Sequence, residues 1–81
     1  MNKLDSLSLA DLKVGQDALI LKISGTHAMK SRLAAMGVIS GGKVAVGHTS
    51  PMGDPRAYNI LDYMLSLRNE DARNIVIKLR D

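Results

Sequence analysis

From residue 8 onward the apolar positions fall into short blocks punctuated by glycine, proline and aspartate, and the spacing inside the blocks changes along the chain. Ser8-Leu9-Ala10-Asp11 fits a capping box, in which a serine opens a helix and a carboxylate three residues on reaches back to it. Leu9 and Leu12, three apart, then face the same way. Val14-Gly15 closes this single helical turn, which is placed to plug one end of a core. Gln16 to Ser24 reads as a strand: Ala18, Leu19, Ile20, Leu21 and Ile23 are too few for a buried helix and lie between Gly15 and Gly25. Lys22 interrupts that run and should face water. Thr26 to Met36 carries the one helical period, with Met29, Leu33 and Met36 at i, i+4 and i+7 and Thr26 as N-cap. Gly37 stands where a left-handed residue ends a helix, and Val38 can pack back on Leu33.

Beyond the Gly41-Gly42 turn the pattern is that of strands. Lys43 to Thr49 alternates, with Val44, Val46 and His48 expected on one face. Ser50 to Pro55 (SPMGDP) is dense in turn formers. Arg56 to Leu61 and Tyr63 to Arg68 are two more strands, with Asp62 as the tight turn between them. Asn69 to Arg73 is a polar turn long enough for one turn of helix. Ile75, Ile77 and Leu79 alternate with Val76, Lys78 and Arg80, a strand with one buried face. Five short strands with one inserted α-helix cannot make βαβ repeats. They predict an all-β fold, a small antiparallel barrel with the helix over an open end.

This order also decides how to read "GVISGGKV", residues 37 to 44. Gly37, four residues, Gly42 and Lys43 come close to a phosphate-binding loop, but Val44 stands where that loop needs a hydroxyl. Such a loop follows a strand and opens a helix, so that free N–H groups meet the phosphate. Here a helix precedes and a strand follows. A helix C-terminus presents carbonyls and the negative end of its dipole, which repel phosphate.

Composition narrows the function classes. Eighty-one residues make one domain, spanning 1–81. Tyr58 and Tyr63 are the only aromatics, so the core is expected to be aliphatic. There is no cysteine, which removes disulfides and thiolate metal sites. The N-terminal residues lack the apolar stretch of a secretory signal, and no apolar run is longer than the four residues of Ala18 to Leu21, too short to span a bilayer, so a cytoplasmic location is expected. The net charge of +3 comes from basic residues of which no two are adjacent, so nucleic acid is not the expected partner. His27 and His48 lie twenty-one residues apart with no ligand spacing between them, so no metal site is assigned. The serines have no histidine or aspartate at a recognisable motif spacing, so no catalytic residue and no cofactor are assigned either.

Several stretches in order resemble the FeoA family of ferrous-iron transport proteins. They are Leu33 with Met36-Gly37, Gly41, Pro51-Met52-Gly53-Asp54-Pro55, and Leu65-Ser66-Leu67-Arg68 before a polar turn and a last strand. Leu9-Ala10-Asp11-Leu12-Lys13-Val14-Gly15 also looks like the family's opening turn, so the likeness covers roughly residues 8 to 80. The family often has Gly-Tyr between the paired strands, where this chain has Asp62-Tyr63. The resemblance implies an SH3-like barrel and a small, non-enzymatic cytoplasmic protein. Its expected role is regulation by contact with FeoB, the membrane GTPase that imports Fe(II). The same module occurs at the C-terminus of DtxR-type repressors, so a repressor-type or nucleic-acid-binding barrel is the alternative. The absence of a DNA-binding part ahead of the barrel favours the transport reading.

Two segments are the expected partner surface. The first is the stripe of Met29, Leu33 and Met36, with Ala35 and Val38 nearby, because part of a methionine-rich stripe left exposed makes adaptable contacts. The plainer reading of that stripe is a core face. The second is the loop Pro51, Met52, Gly53, Asp54 and Pro55, where two prolines hold an exposed Met52 and little entropy is lost on docking. Its plainer reading is a rigid turn. Asp54 is expected to meet a basic patch or bond its own backbone. Exposed strands of such a barrel could also pair with a second copy as a weak homodimer.

Overall fold

The computed structural model describes residues 7–80. A 3₁₀ turn, Leu9–Asp11, precedes β1 (Asp17–Ile23), α1 (His27–Ala35), β2 (Lys43–Thr49), β3 (Arg56–Ile60), β4 (Tyr63–Leu67), a one-turn α2 (Asn69–Ala72) and β5 (Ile75–Leu79). All five strands form one antiparallel sheet in the order β4-β3-β2-β1-β5. The 3₁₀ turn starts as the sequence requires: the Asp11 carboxylate accepts from the Ser8 N–H at 2.9 Å. Helix α1 is capped at its start by the Thr26 hydroxyl, which accepts from the Met29 N–H at 3.1 Å. At its end the Val38 N–H donates to the Leu33 carbonyl and the Gly37 N–H to that of Ala34, the pair of bonds that defines a Schellman end.

Two β-bulges decide which side chains enter the core. In β1 the register slips between Ile20 and Lys22 against β5, so Ile20 pairs with Ile77 and Ile23 with Ile75. The extra residue at Leu21 keeps both isoleucines on the inner side and turns Leu21 and Lys22 to solvent. In β2 the slip falls at Gly47, so Val46 pairs with Tyr58 but His48 pairs with Ala57. Residues paired across a ladder share a face. His48 therefore does not share the face of Val44 and Val46, contrary to simple alternation.

The core contains Leu9, Leu12, Ala18, Ile20, Leu33, Val38, Val44, Val46, Tyr58, Ile60, Leu67, Ala72, Ile75 and Ile77. It is not purely aliphatic. Tyr58 is fully buried, the largest side chain so placed, because its hydroxyl finds a donor in the Nε of Arg56 at 3.1 Å. Leu79 also departs from expectation: the alternating face of β5 is buried at Ile75 and Ile77, but Leu79 is 39% exposed where the strand runs past the core. The β3–β4 turn differs as well. Leu61 and Asp62 together make it, with φ of 52° and 69°, and Ile60 pairs with Tyr63. The expected strand thus ends one residue early, since a two-residue hairpin turn of this hand needs positive φ at both positions.

Candidate partner-binding surface

The loop between β2 and β3 is built to hold its tip out. The Gly53 N–H donates to the Ser50 carbonyl at 2.8 Å, and the Asp54–Pro55 peptide is cis. Asp54 bonds a distant backbone rather than its own. Its Oδ1 accepts from the Asn69 N–H at 2.9 Å, while Asn69 Nδ2 donates to the Gly53 carbonyl at 3.0 Å. Asn69 is the first residue of α2, so Asp54 satisfies from across the fold one of the N–H groups that a helix start leaves free. The clasp holds the loop at the Gly53 carbonyl and the Asp54 side chain and leaves Met52 89% exposed. Ser50 Oγ and Asn69 Oδ1, at the loop's base, are buried with no hydrogen-bond partner among the described residues.

The α1 stripe behaves mostly as core. Leu33, expected as a contact residue, has no exposed surface, and Val38 has none either. The Schellman end ties the Val38 N–H back to the Leu33 carbonyl, and both side chains join the core. Met29 and Met36 are half-buried and pack against the core, and Ala35 is exposed.

One group of exposed apolar residues gathers around the end of α1. Leu61 (58% exposed) and Tyr63 (40%) sit directly over Gly37. A Cβ on Gly37 would lie 2.9 Å from Leu61 Cδ1 and 3.2 Å from the Tyr63 hydroxyl, so the bare glycine, at φ 93°, gives these side chains their seat. Ile39, 48% exposed, follows two residues on. The hydrophobic pattern alone puts Leu61 inside a strand and does not mark it as a surface residue. The signal available was the absence of glycine at a turn between two strands.

Nothing local in the sequence marks the role of Arg56 either, because its partners are distant. Its Nη1 donates to the Leu12 carbonyl at 2.7 Å, and its Nη2 to those of Leu9 and Ala10 at 3.0 and 3.2 Å. It thereby ties β3 to the carbonyl end of the 3₁₀ turn, where a cation is favoured. Its guanidinium carbon also lies 5.2 Å from the Tyr58 ring centroid.

An open groove of about 760 Å³ lies beside the Gly41-Gly42 turn, lined by Asp17, Lys43, Asn59, Leu61, Asp62 and Arg80 among others. It mixes both signs of charge and contains no serine or histidine. Gly42 and Lys43 follow the carbonyl end of α1 and lead into β2, the reverse of a phosphate cradle. His27 begins α1 and His48 lies in β2, both exposed. Among the described residues no three histidine or acidic side chains gather as metal ligands, and no helix is long and apolar enough to cross a membrane.

Comparison with known proteins follows the same outline. The family model for the FeoA domain matches residues 7–79. A curated relative from Porphyromonas gingivalis, a fusion of Fe(2+) transport protein A with the Fe(2+) transporter FeoB, is 36% identical over 73 residues. That match covers 90% of this chain but only 9% of the relative's length. The solution structure of a FeoA protein from Chlorobium tepidum superposes with a TM-score of 0.85 at 28% identity, covering 93% of this chain and 71% of that one. The crystal structure of Stenotrophomonas maltophilia FeoA complexed with zinc, described as a prokaryotic SH3 domain protein, gives a TM-score of 0.78 at 22% identity and 89% coverage of each chain. The five-stranded antiparallel fold is thus SH3-like.

Proposed function

The chain belongs to the FeoA domain family, and from that premise we propose that it is a non-enzymatic accessory of a FeoB-type membrane GTPase, acting from the cytoplasmic side by protein contact. A relative that carries this domain in one polypeptide with FeoB supports the choice of partner, because fusion keeps two surfaces at high effective concentration. The observation that carries the reading from family to contact is Met52. A large apolar side chain 89% exposed, on a loop clasped by Asp54 and Asn69, is already in place before any partner arrives. Docking then freezes little that was free.

Contact alone does not regulate. The domain can bias the transporter only by binding one of its states more tightly than another. Met52→Asp tests the contact. It should leave the fold intact, since Met52 supports nothing in the core, and weaken binding to the solubilised FeoB-type transporter by at least about tenfold, the equivalent of about 1.4 kcal/mol. Unchanged affinity with a folded variant would remove the loop from the contact.

A further inference from the structure

The sheet has two edges, and they are treated differently. The outer edge of β5 is covered by the chain's own start: Ser8 bridges to Val76, and the Ile77 N–H donates to the Leu7 carbonyl at 3.0 Å. The outer edge of β4 has no such cover. Ile60 and Tyr63 close a two-residue turn, which makes them a hydrogen-bonded pair. The N–H and C=O groups of Tyr63, Leu65 and Leu67 therefore point at β3, and those of Met64 and Ser66 point away from it. Among the described residues neither Met64 nor Ser66 has a backbone partner on that side.

Free sheet edges are usually protected by a charge, a proline or a bulge. Strand β4, Tyr-Met-Leu-Ser-Leu, has none of these, and its register against β3 runs without a slip. Charges stand only at its ends, Asp62 and Arg68, and both are exposed. We propose that the β4 edge is a self-recognition surface, on which a second copy of this chain adds its own β4 antiparallel about a two-fold axis at Leu65. In that register Met64 faces Ser66 of the second copy and its outward backbone groups are satisfied. Tyr63 faces Leu67. Asp62 faces Arg68, twice by symmetry. Shifting the axis to Met64 or Ser66 keeps the backbone pattern but loses both charge pairs, so the charges fix the register. Five residues make a short edge, so the pair belongs with small transient interfaces. This surface does not depend on the transporter contact and stands or falls separately.

The test is a concentration series followed by amide spectra and sedimentation, from about 20 μM to about 1 mM, a range that reads weak affinities. The wild type should self-associate, with concentration-dependent protection of the Met64 and Ser66 N–H groups. Asp62→Lys and Arg68→Glu should each weaken self-association by about tenfold, since each turns both attractive pairs into repulsive ones. An equimolar mixture of the two variants should associate as well as wild type, because the mixed pair sets Lys against Glu and Arg against Asp. Arg68 uses only its backbone at the start of α2, so its variant keeps the test open if Asp62→Lys, at a positive φ, fails to fold. A chain that stays monomeric throughout, protection elsewhere, or variants whose mixture gains nothing would overturn the proposal.

Discussion

The Arg56 guanidinium gathers three carbonyls and a tyrosine hydroxyl, all from groups that the sequence separates by up to 47 positions. Lysine keeps the charge but not the planar fork. Arg56→Lys should cost about 1–3 kcal/mol of stability, read from the urea midpoint, because carbonyls at the end of the 3₁₀ turn lose their donor. The neighbouring Tyr58 gives a pH signature. Burial raises its hydroxyl pKa above the ordinary 10.0, against the opposing hydrogen bond and charge of Arg56, while Asp54 adds a smaller upward push. The fold thus holds the neutral phenol. Its contribution is complete below the unfolded value near pH 10 and is lost as pH rises through the higher folded value, because the unfolded chain ionises first. Tyr58→Phe should lose stability at neutral pH but show a shallower decline between about pH 9 and 11 than the wild type. Leu61 is the other informative residue. A bulky side chain at φ 52° is unfavourable, and held strain points to selection for something other than folding. Leu61→Asn should leave stability unchanged or raise it by about 0.5 kcal/mol, read from the urea midpoint, as asparagine accepts this geometry.

Elements were legible wherever local chemistry fixes them. The 3₁₀ turn, α1 and its Schellman end could be read from Ser8, Asp11, Thr26 and Gly37, because caps act within four residues. The bulges at Leu21 and Gly47 could not, since each depends on what the paired strand offers. Gly47 is the clearer case: the Met64 side chain, from β4, occupies the place where a Cβ on Gly47 would stand. The same limit hid the link between the loop and α2, because Asp54 and Asn69 are fifteen residues apart. That link is the testable one. Asp54→Ala should cost about 1 kcal/mol, as for loss of an ordinary helix cap, and should speed amide exchange at Asn69. The Arg32–Asp71 pair at 3.3 Å, joining α1 to α2, has an Arg32 side chain 58% exposed. Its removal should change stability by less than about 0.5 kcal/mol.

At the scale of the molecule, the class of fold followed from five short apolar blocks and one helical stripe. The surface did not. An i, i+4, i+7 stripe marks the side of a helix that is apolar, not whether the protein or a partner covers it, so it leaves both readings of Leu33 open, and Leu33 is core. Exposure depends on what packs above each residue, which is a property of the whole fold. The large apolar side chains left outside include Met52, in the loop before β3, and Leu61, in the turn after it. The account rests on the loop that carries Met52 meeting a FeoB-type transporter. The direct measurement is titration of the isotopically labelled domain with the solubilised transporter, following each backbone amide. Attenuation concentrated at Met52 and Gly53 is predicted; spectra that stay unchanged at saturating transporter, or that change only away from this loop, would contradict it.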